Sequence, residues 1–316
     1  MLQASCYTCT LILNTEIFTP AIKNLDTDTQ ILILNKMKII IHGGFFSESS
    51  TNQETKKAKQ DALAEIVKLG YAYLETHTAV ETVVYTVALL EDNELFNAGI
   101  GSQIQSDGKI RLSASLMDGK TERFSGVINV EDVKNPIEIA QHLLPYDDRV
   151  LSGEGAQNFA RKNKFEFFNP ITAQRQSEYE AKLNQQNNLG TVGCVALDAD
   201  GNIAAGTSTG GKGFEIPCRV SDSATTAGNY ANQFAGISCT GVGEDIVSGS
   251  LASKIVTRVT DGFSLKDACD KSFAELKAFD GFAGVIGISN LGEIYHCDTH
   301  PYMVWASFDV NLQVFN

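Results

Sequence analysis

Proline and tryptophan are scarce, with 6 and 1 in a chain of 316 residues. So little proline excludes a Pro-rich tail, and the 27 glycines follow no fixed period, which excludes a collagen-like repeat. Basic residues are also in short supply. The 25 Lys and Arg stand against 38 Asp and Glu, a net charge of −13. Without a basic stripe the chain is a poor partner for nucleic acid or for an anionic membrane surface. No apolar run approaches the ~18 residues a membrane-spanning helix needs. The 7 cysteines (Cys6, Cys9, Cys194, Cys218, Cys239, Cys269, Cys297) are odd in number and scattered, unlike the paired frameworks of small secreted domains. Several fall inside apolar runs and read as buried thiols, and Cys6-Tyr7-Thr8-Cys9 lacks the context of a redox motif. These features point to a reducing compartment, the cytoplasm. What is present is 43% apolar sequence, enough for a large buried core.

Residues 1–36 read as a poorly ordered extension. No basic residue precedes Lys23, so the charged start of a secretory leader is missing. The fold is expected to begin at Met37, with Lys38-Ile39-Ile40-Ile41 as a buried strand and His42-Gly43-Gly44 as a tight turn after it. Capping boxes at 51–54 and 78–81 open two helices. The first is expected to run to about Leu69 with Gly70 as its stop, the second to Leu90. Asn135-Pro136, with Glu138, opens a third. Residues 171–190 are rich in Gln, Asn, Glu and Lys and read as a solvated helix fading into a linker. At Gly190 the character changes. Residues 191–197 and 203–209 read as strands of a hairpin around Asp200-Gly201, and 237–240 as a further strand. Glu244 opens a helix with Val247, Leu251, Ile255 and Val259 on one stripe. Residues 266–276 form another helix, and 282–289 with 293–298 a second hairpin. Strands and helices come in groups, which favours an α+β fold with sheets covered by helices.

Several motifs invite chemistry and fail a physical requirement. Residues 206–212 match the spacing of a phosphate-binding loop, but Gly213 replaces the magnesium-binding hydroxyl and no helix pattern follows. His296 and His300 lie in a strand pattern with no third ligand for zinc. Glu91 and Asp92 are adjacent and point in different directions, so they make no acid–base pair. No nucleophile elbow occurs. The sharpest feature is Gly190-Thr191, where a polar stretch ends and a hydroxyl begins a buried strand. Cleavage before Thr191 would free an α-amine with a pKa of ~7.7–8.0, a general base beside its own nucleophile.

Here the residues resemble a known family. Gly190-Thr191-Val192-Gly193-Cys194-Val195-Ala196-Leu197-Asp198, Thr207-Ser208-Thr209-Gly210-Gly211, Arg219-Val220-Ser221-Asp222-Ser223 and Ser238-Cys239-Thr240-Gly241-Val242-Gly243-Glu244 are similar to plant-type L-asparaginases, the isoaspartyl peptidases among the N-terminal nucleophile hydrolases. Upstream, Ile41-His42-Gly43-Gly44, Leu95-Phe96-Asn97-Ala98-Gly99-Ile100-Gly101 and Met117-Asp118-Gly119 extend the resemblance over residues 37–316. The resemblance implies an αββα sandwich made as a precursor that cuts itself at Gly190–Thr191. One domain would then consist of an α-chain part, 37–190, and a β-chain part, 191–316. Thr191 would attack the side-chain carbonyl of asparagine or of a β-aspartyl dipeptide, and Thr209 would tune it. Thr240 and the Gly241 N–H would form the oxyanion hole. Arg219 would hold the substrate α-carboxylate and Asp222 its α-ammonium, with Gly243 adding a backbone contact. The resemblance further implies no organic cofactor, an (αβ)2 assembly, and a structural sodium ion on main-chain carbonyls of Leu90, Glu91, Asn93, Phe96, Ala98 and Ile100.

The chain departs from the family at Phe45-Phe46, at Ser113 and at Ser223-Ala224-Thr225-Thr226-Ala227-Gly228. These positions border the pocket and bear on the choice between asparagine and isoaspartyl dipeptides. Within the same fold the rival is a glycosylasparaginase-like amidohydrolase. From other classes the rivals are an ATPase using residues 206–212 and an unprocessed relative kept as a binding or structural protein.

Overall fold

The structure is a computed structural model that describes residues 36–45, 53–182, 190–278 and 280–316. The expected extension except Lys36, the Thr51 end of the first capping box and linker residues 183–189 lie outside the described residues. Among those described, the strands form two sheets. The larger has eight strands in the spatial order Leu312–Val314 (β12), Met303–Phe308 (β11), Lys38–Phe45 (β1), Val192–Leu197 (β5), Ile203–Thr209 (β6), Leu112–Asp118 (β2), Arg123–Val130 (β3) and Val150–Ser152 (β4). The smaller has four: Ile294–Asp298 (β10), Ala283–Ser289 (β9), Ala235–Gly241 (β8) and Asn229–Ala231 (β7). Pairing is antiparallel except between β3 and β4. The helices are Gln53–Leu74 (α1), Ala79–Glu91 (α2), Pro136–Leu143 (α3), Gly153–Lys162 (α4), Ala173–Lys182 (α5), Gly243–Gly249 (α6), Leu251–Thr260 (α7) and Leu265–Lys277 (α8).

The pleat sorts alternate residues of each strand into different cores. Ile39 and Ile41 of β1, with Val192, Cys194 and Ala196 of β5, join Leu63 and Val67 of α1 and Val83 and Val87 of α2. The intervening Ile40, Val195 and Leu197 join Ile286 and Ile288 of β9. In the smaller sheet, Ala283 and Val285 instead pack with Ile255 of α7 and Ala268 and Phe273 of α8. Continuous apolar runs such as 39–41 therefore come from strands buried on both faces.

Local signals hold at several ends. Thr78 and Glu81 form a reciprocal capping box at the start of α2, an arrangement in which the cap alone contributes about 1 kcal/mol. Pro136 opens α3. Asp198 accepts from the N–H groups of Asp200 and Asn202 and so closes the β5–β6 hairpin.

Three expectations are corrected. His42-Gly43-Gly44 is not a turn, because β1 continues to Phe45 with a register shift after His42. Its glycines serve close approach: a Cβ on Gly43 would run into the Phe96 ring, and one on Gly44 would come within 3.1 Å of Gly190 Cα and Thr191 N. Gly70 does not stop α1, which runs on to Leu74. A Cβ there would collide with Thr86 of α2 and Ile39, so the residue lets two helices and a strand meet. The stripe from Val247 to Val259 is not one helix. Ser250 adopts φ 48° and separates α6 from α7, turning Val247 out to solvent.

Candidate active site

Thr191 stands one residue before β5, where pairing with β1 and β6 begins at its C-terminal side. The hairpin brings Thr209, at the end of β6, beside it. The Thr191 hydroxyl donates to Thr209 Oγ1 at 3.3 Å, and the Thr209 hydroxyl donates to the Gly190 carbonyl at 3.1 Å. The Gly211 N–H donates to Thr209 Oγ1 at 3.1 Å and completes its hydrogen bonding. A second donor, Asn97 Nδ2, reaches the same Gly190 carbonyl at 2.7 Å. Asn97 also bonds the Gly211 carbonyl and accepts from the Gln103 N–H at 2.9 Å, so its amide is fixed on three sides. Two donors thus converge on the carbonyl that the Thr191 hydroxyl adjoins in the chain.

Across the same pocket lie Arg219, Ser221, Asp222, Gly241 and Gly243. Gly243 separates the two charged groups. A Cβ there would sit 2.7 Å from Asp222 Oδ1 and 2.8 Å from Arg219 Nη2, so only glycine leaves room between them. Arg219 and Asp222 do not form an ion pair with each other. Arg219 grips Glu244 with two prongs, Nε at 2.9 Å and Nη2 at 2.7 Å. Burial would raise the Glu244 carboxyl, but those hydrogen bonds outweigh it and hold it down at about 2. Asp222 is 3% exposed and its Oδ2 has no hydrogen-bond partner among the described residues. Burial pushes its carboxyl up to about 7, with the Arg219 charge opposing. Its carboxylate form, populated above that pH, is a buried anion suited to a cationic ligand group.

Thr240, at the end of β8, is 1% exposed and its Oγ1 has no partner among the described residues. A buried hydroxyl left without a partner is destabilising. Gly241 follows with φ 134° and lines the pocket. The sequence-read residues Gly190, Thr191, Thr209, Arg219, Asp222, Gly241 and Gly243 are therefore brought together around one pocket.

Leu90 and Glu91 end α2, Asn93, Phe96 and Ala98 lie in the loop that follows it and carries Asn97, and Ile100 lies in the turn Gly99–Gly101. Glu91 is buried and its Oε1 accepts from the Ile137 N–H, whereas Asp92 bonds Lys134 and Asn135. The two carboxylates do point apart. His296 stacks on Trp305 and His300 on Phe282. Among the described residues no group of His, Cys, Asp and Glu side chains could hold a metal. No helix follows Lys212, whose ammonium instead meets Glu244 at 3.4 Å on the pocket rim.

Sequence reasoning left three nearby residues without roles: Asn97, Glu244 and His42. Asn97 and Glu244 stand inside motifs that carried the resemblance. His42 was legible as part of a motif but not as a contact, because its partners are far away in the sequence.

The family model described as asparaginase matches residues 35–313. A Nostoc protein named isoaspartyl peptidase/L-asparaginase is 46% identical over 276 residues, covering 81% of this chain and 87% of that protein. A Synechocystis protein of the same name is 44% identical over 287 residues, with 85% and 87% covered. A Pyrococcus horikoshii protein named plant-type L-asparaginase is 33% identical over 292 residues, with 85% and 95% covered.

Proposed function

We infer the reaction from what the chain is: it belongs to the asparaginase family, and it is an amidohydrolase whose nucleophile is its own Thr191. It hydrolyses L-asparagine to aspartate and ammonia and removes the isoaspartyl residue from β-aspartyl dipeptides. The observation that carries this reading is the Thr191 hydroxyl on Thr209, beside a Gly190 carbonyl held by Thr209 and Asn97.

Self-cleavage comes first. Thr191 Oγ1 attacks the Gly190 carbonyl carbon, and its proton is relayed by way of Thr209 to the Thr191 nitrogen. Asn97 and Thr209 stabilise the oxyanion. The C–N bond breaks, leaving a Gly190 ester on Oγ1 and a free amine on Thr191; water then hydrolyses the ester. The products are an α-chain part ending at Gly190 and a β-chain part starting at Thr191. The new amine, with a pKa of ~7.7–8.0, takes the hydroxyl proton as Thr191 attacks the substrate's side-chain carbonyl. Thr240 and the Gly241 N–H hold the oxyanion. The amine gives its proton to the departing ammonia or amino acid, and water releases aspartate from the acyl-enzyme. Arg219 meets the substrate α-carboxylate with its remaining N–H groups, and Asp222 and Gly243 meet the α-ammonium. The test is to incubate purified protein with asparagine and, separately, with β-aspartyl-leucine. Release of ammonia and of leucine supports the reading; release of neither overturns it.

Asp222 gives this reading a pH signature. Its ammonium-binding form is the carboxylate, populated above its pKa of about 7. Affinity for asparagine should therefore rise as pH climbs through 7. Asp222→Asn is expected to raise KM about tenfold to a hundredfold, as for the ~1.5–3 kcal/mol of a hydrogen bond to a charged group, and to abolish that pH dependence. Stability runs the other way. The buried carboxyl holds its proton above the ordinary value of 3.8, so its contribution to folding is present below that pH and is lost as pH rises through about 7. A KM indifferent to both pH and Asp222→Asn would contradict the assignment.

The layer order is helix, sheet, sheet, helix, the αββα sandwich; the three side-chain clusters described above support it. The cleaved units pair as (αβ)2. The five described cysteines are all free thiols, which suits the reducing cytoplasm. The segment from Leu90 to Ile100 would hold a structural sodium ion on carbonyls of Leu90, Glu91, Asn93, Phe96, Ala98 and Ile100. An all-oxygen donor set suits a hard cation. Gly99 and Gly101 lie against the Glu91 and Phe96 carbonyl oxygens so closely that a Cβ would collide with them, so glycine is what permits this backbone path. The ion would steady the loop that aims Asn97 at Gly190. Melting temperature should rise with sodium chloride relative to tetramethylammonium chloride of equal ionic strength; identical curves would refute the site.

A further inference from the structure

His42 is fully buried, and the steps above make no use of it. Its Nδ1 lies 3.1 Å from the Thr191 carbonyl oxygen and its Nε2 lies 3.0 Å from Ser238 Oγ. Ser238 Oγ in turn lies 2.6 Å from Thr207 Oγ1. Ser238 and Thr207 are also fully buried. The three side chains come from β1, β8 and β6, and so from both sheets.

The donors and acceptors in this line can be assigned. Burial pushes the His42 ring down to about 3, against the raising effect of its bond to Thr191, so the ring is neutral at physiological pH. A neutral imidazole has one N–H, and a carbonyl oxygen only accepts. The proton is therefore on Nδ1 and is donated to Thr191. Nε2 must accept, from the Ser238 hydroxyl. With its one proton used, Ser238 Oγ accepts from Thr207, whose other acceptor, the Gly228 carbonyl, is farther away at 3.5 Å. The space is closed around the line: a Cβ on Gly193 would collide with both Ser238 Oγ and the ring.

The Thr191 backbone is held on its other side through Gly190, by Asn97 and Thr209. Cleavage of the Gly190–Thr191 bond removes that hold. The bond from His42 to the Thr191 carbonyl survives cleavage.

We propose that His42 is a positioning residue for the nucleophile: backed by Ser238 and Thr207, it fixes the Thr191 carbonyl and so aims the hydroxyl and the new amine of Thr191. The proposal rests on the reading of Thr191 as nucleophile. It is tested by steady-state kinetics on cleaved wild type, His42→Leu, His42→Asn and Ser238→Ala, with melting temperatures alongside. His42→Leu should lower kcat about tenfold to a hundredfold, the cost of a displacement near 1 Å, while KM stays within about twofold. His42→Asn should restore most of that kcat, because its Nδ2–H can take the place of Nδ1–H. Ser238→Ala should lower kcat severalfold, because Nε2 loses the donor that fixes the tautomer. If His42→Leu fails to fold or to cleave, Ser238→Ala and His42→Asn carry the test. Wild-type kcat in His42→Leu or Ser238→Ala overturns the proposal. So does a His42→Asn enzyme that melts like wild type but is as slow as His42→Leu. Wild-type protein inactive on both substrates would instead overturn the reading of Thr191.

Discussion

Thr191→Ala is expected to yield one uncut chain of 316 residues that releases neither ammonia from asparagine nor leucine from β-aspartyl-leucine. The substitution removes the hydroxyl proposed to cut the Gly190–Thr191 bond, and with the bond uncut the α-amine that would act as base is never exposed. Nucleophile and base are lost together, so the expected drop in turnover is about a millionfold, the scale seen when a catalytic unit is removed. The fold should hardly notice. Thr191 precedes the β5 ladder, and the Gly190 carbonyl keeps its bonds from Asn97 and Thr209. Electrophoresis under denaturing conditions and an ammonia assay read both outcomes. Substantial turnover by this variant would place the nucleophile elsewhere.

Thr240→Val separates the two reactions. Valine replaces the hydroxyl by a methyl of similar size at a buried site. If Thr240 donates to the substrate oxyanion, kcat should fall about 10²–10³-fold, the ~2.7–4 kcal/mol of one such donor. Self-cleavage should proceed normally, because the donors on the Gly190 carbonyl are Asn97 and Thr209. Stability should stay level or rise, since the hydroxyl being removed has no hydrogen-bond partner among the described residues. A cut, well-folded, slow enzyme is the expected result; unchanged kcat would remove Thr240 from the oxyanion hole.

Much of this was written in local sequence. The Asp-Gly turn, the capping box at Thr78 and the proline at the head of α3 are short-range devices, and the structure places each as its chemistry demands. The strands β2 and β11 were not foreseen, because their places in the sheet depend on β6 and β1, partners far along the chain. Glycine misled twice in the same way. Gly43 and Gly70 read as punctuation, yet each permits a contact with a residue remote in sequence, the Phe96 ring and Thr86. Ser250 adopts the left-handed conformation that divides the stripe, and Gly249 beside it, the last residue of α6, was a stop signal that the apolar periodicity overrode. In the site, motif residues were recovered by their neighbours, whereas the pairing of Arg219 with Glu244 and the line from Thr207 to His42 needed three dimensions.

The proposed reaction requires Thr191 to become a chain terminus. N-terminal sequencing of the smaller fragment of purified, active protein tests this most directly. The expected reading is Thr-Val-Gly-Cys-Val, matching residues 191–195. Full activity in material that remains one continuous chain across Gly190–Thr191 would contradict it.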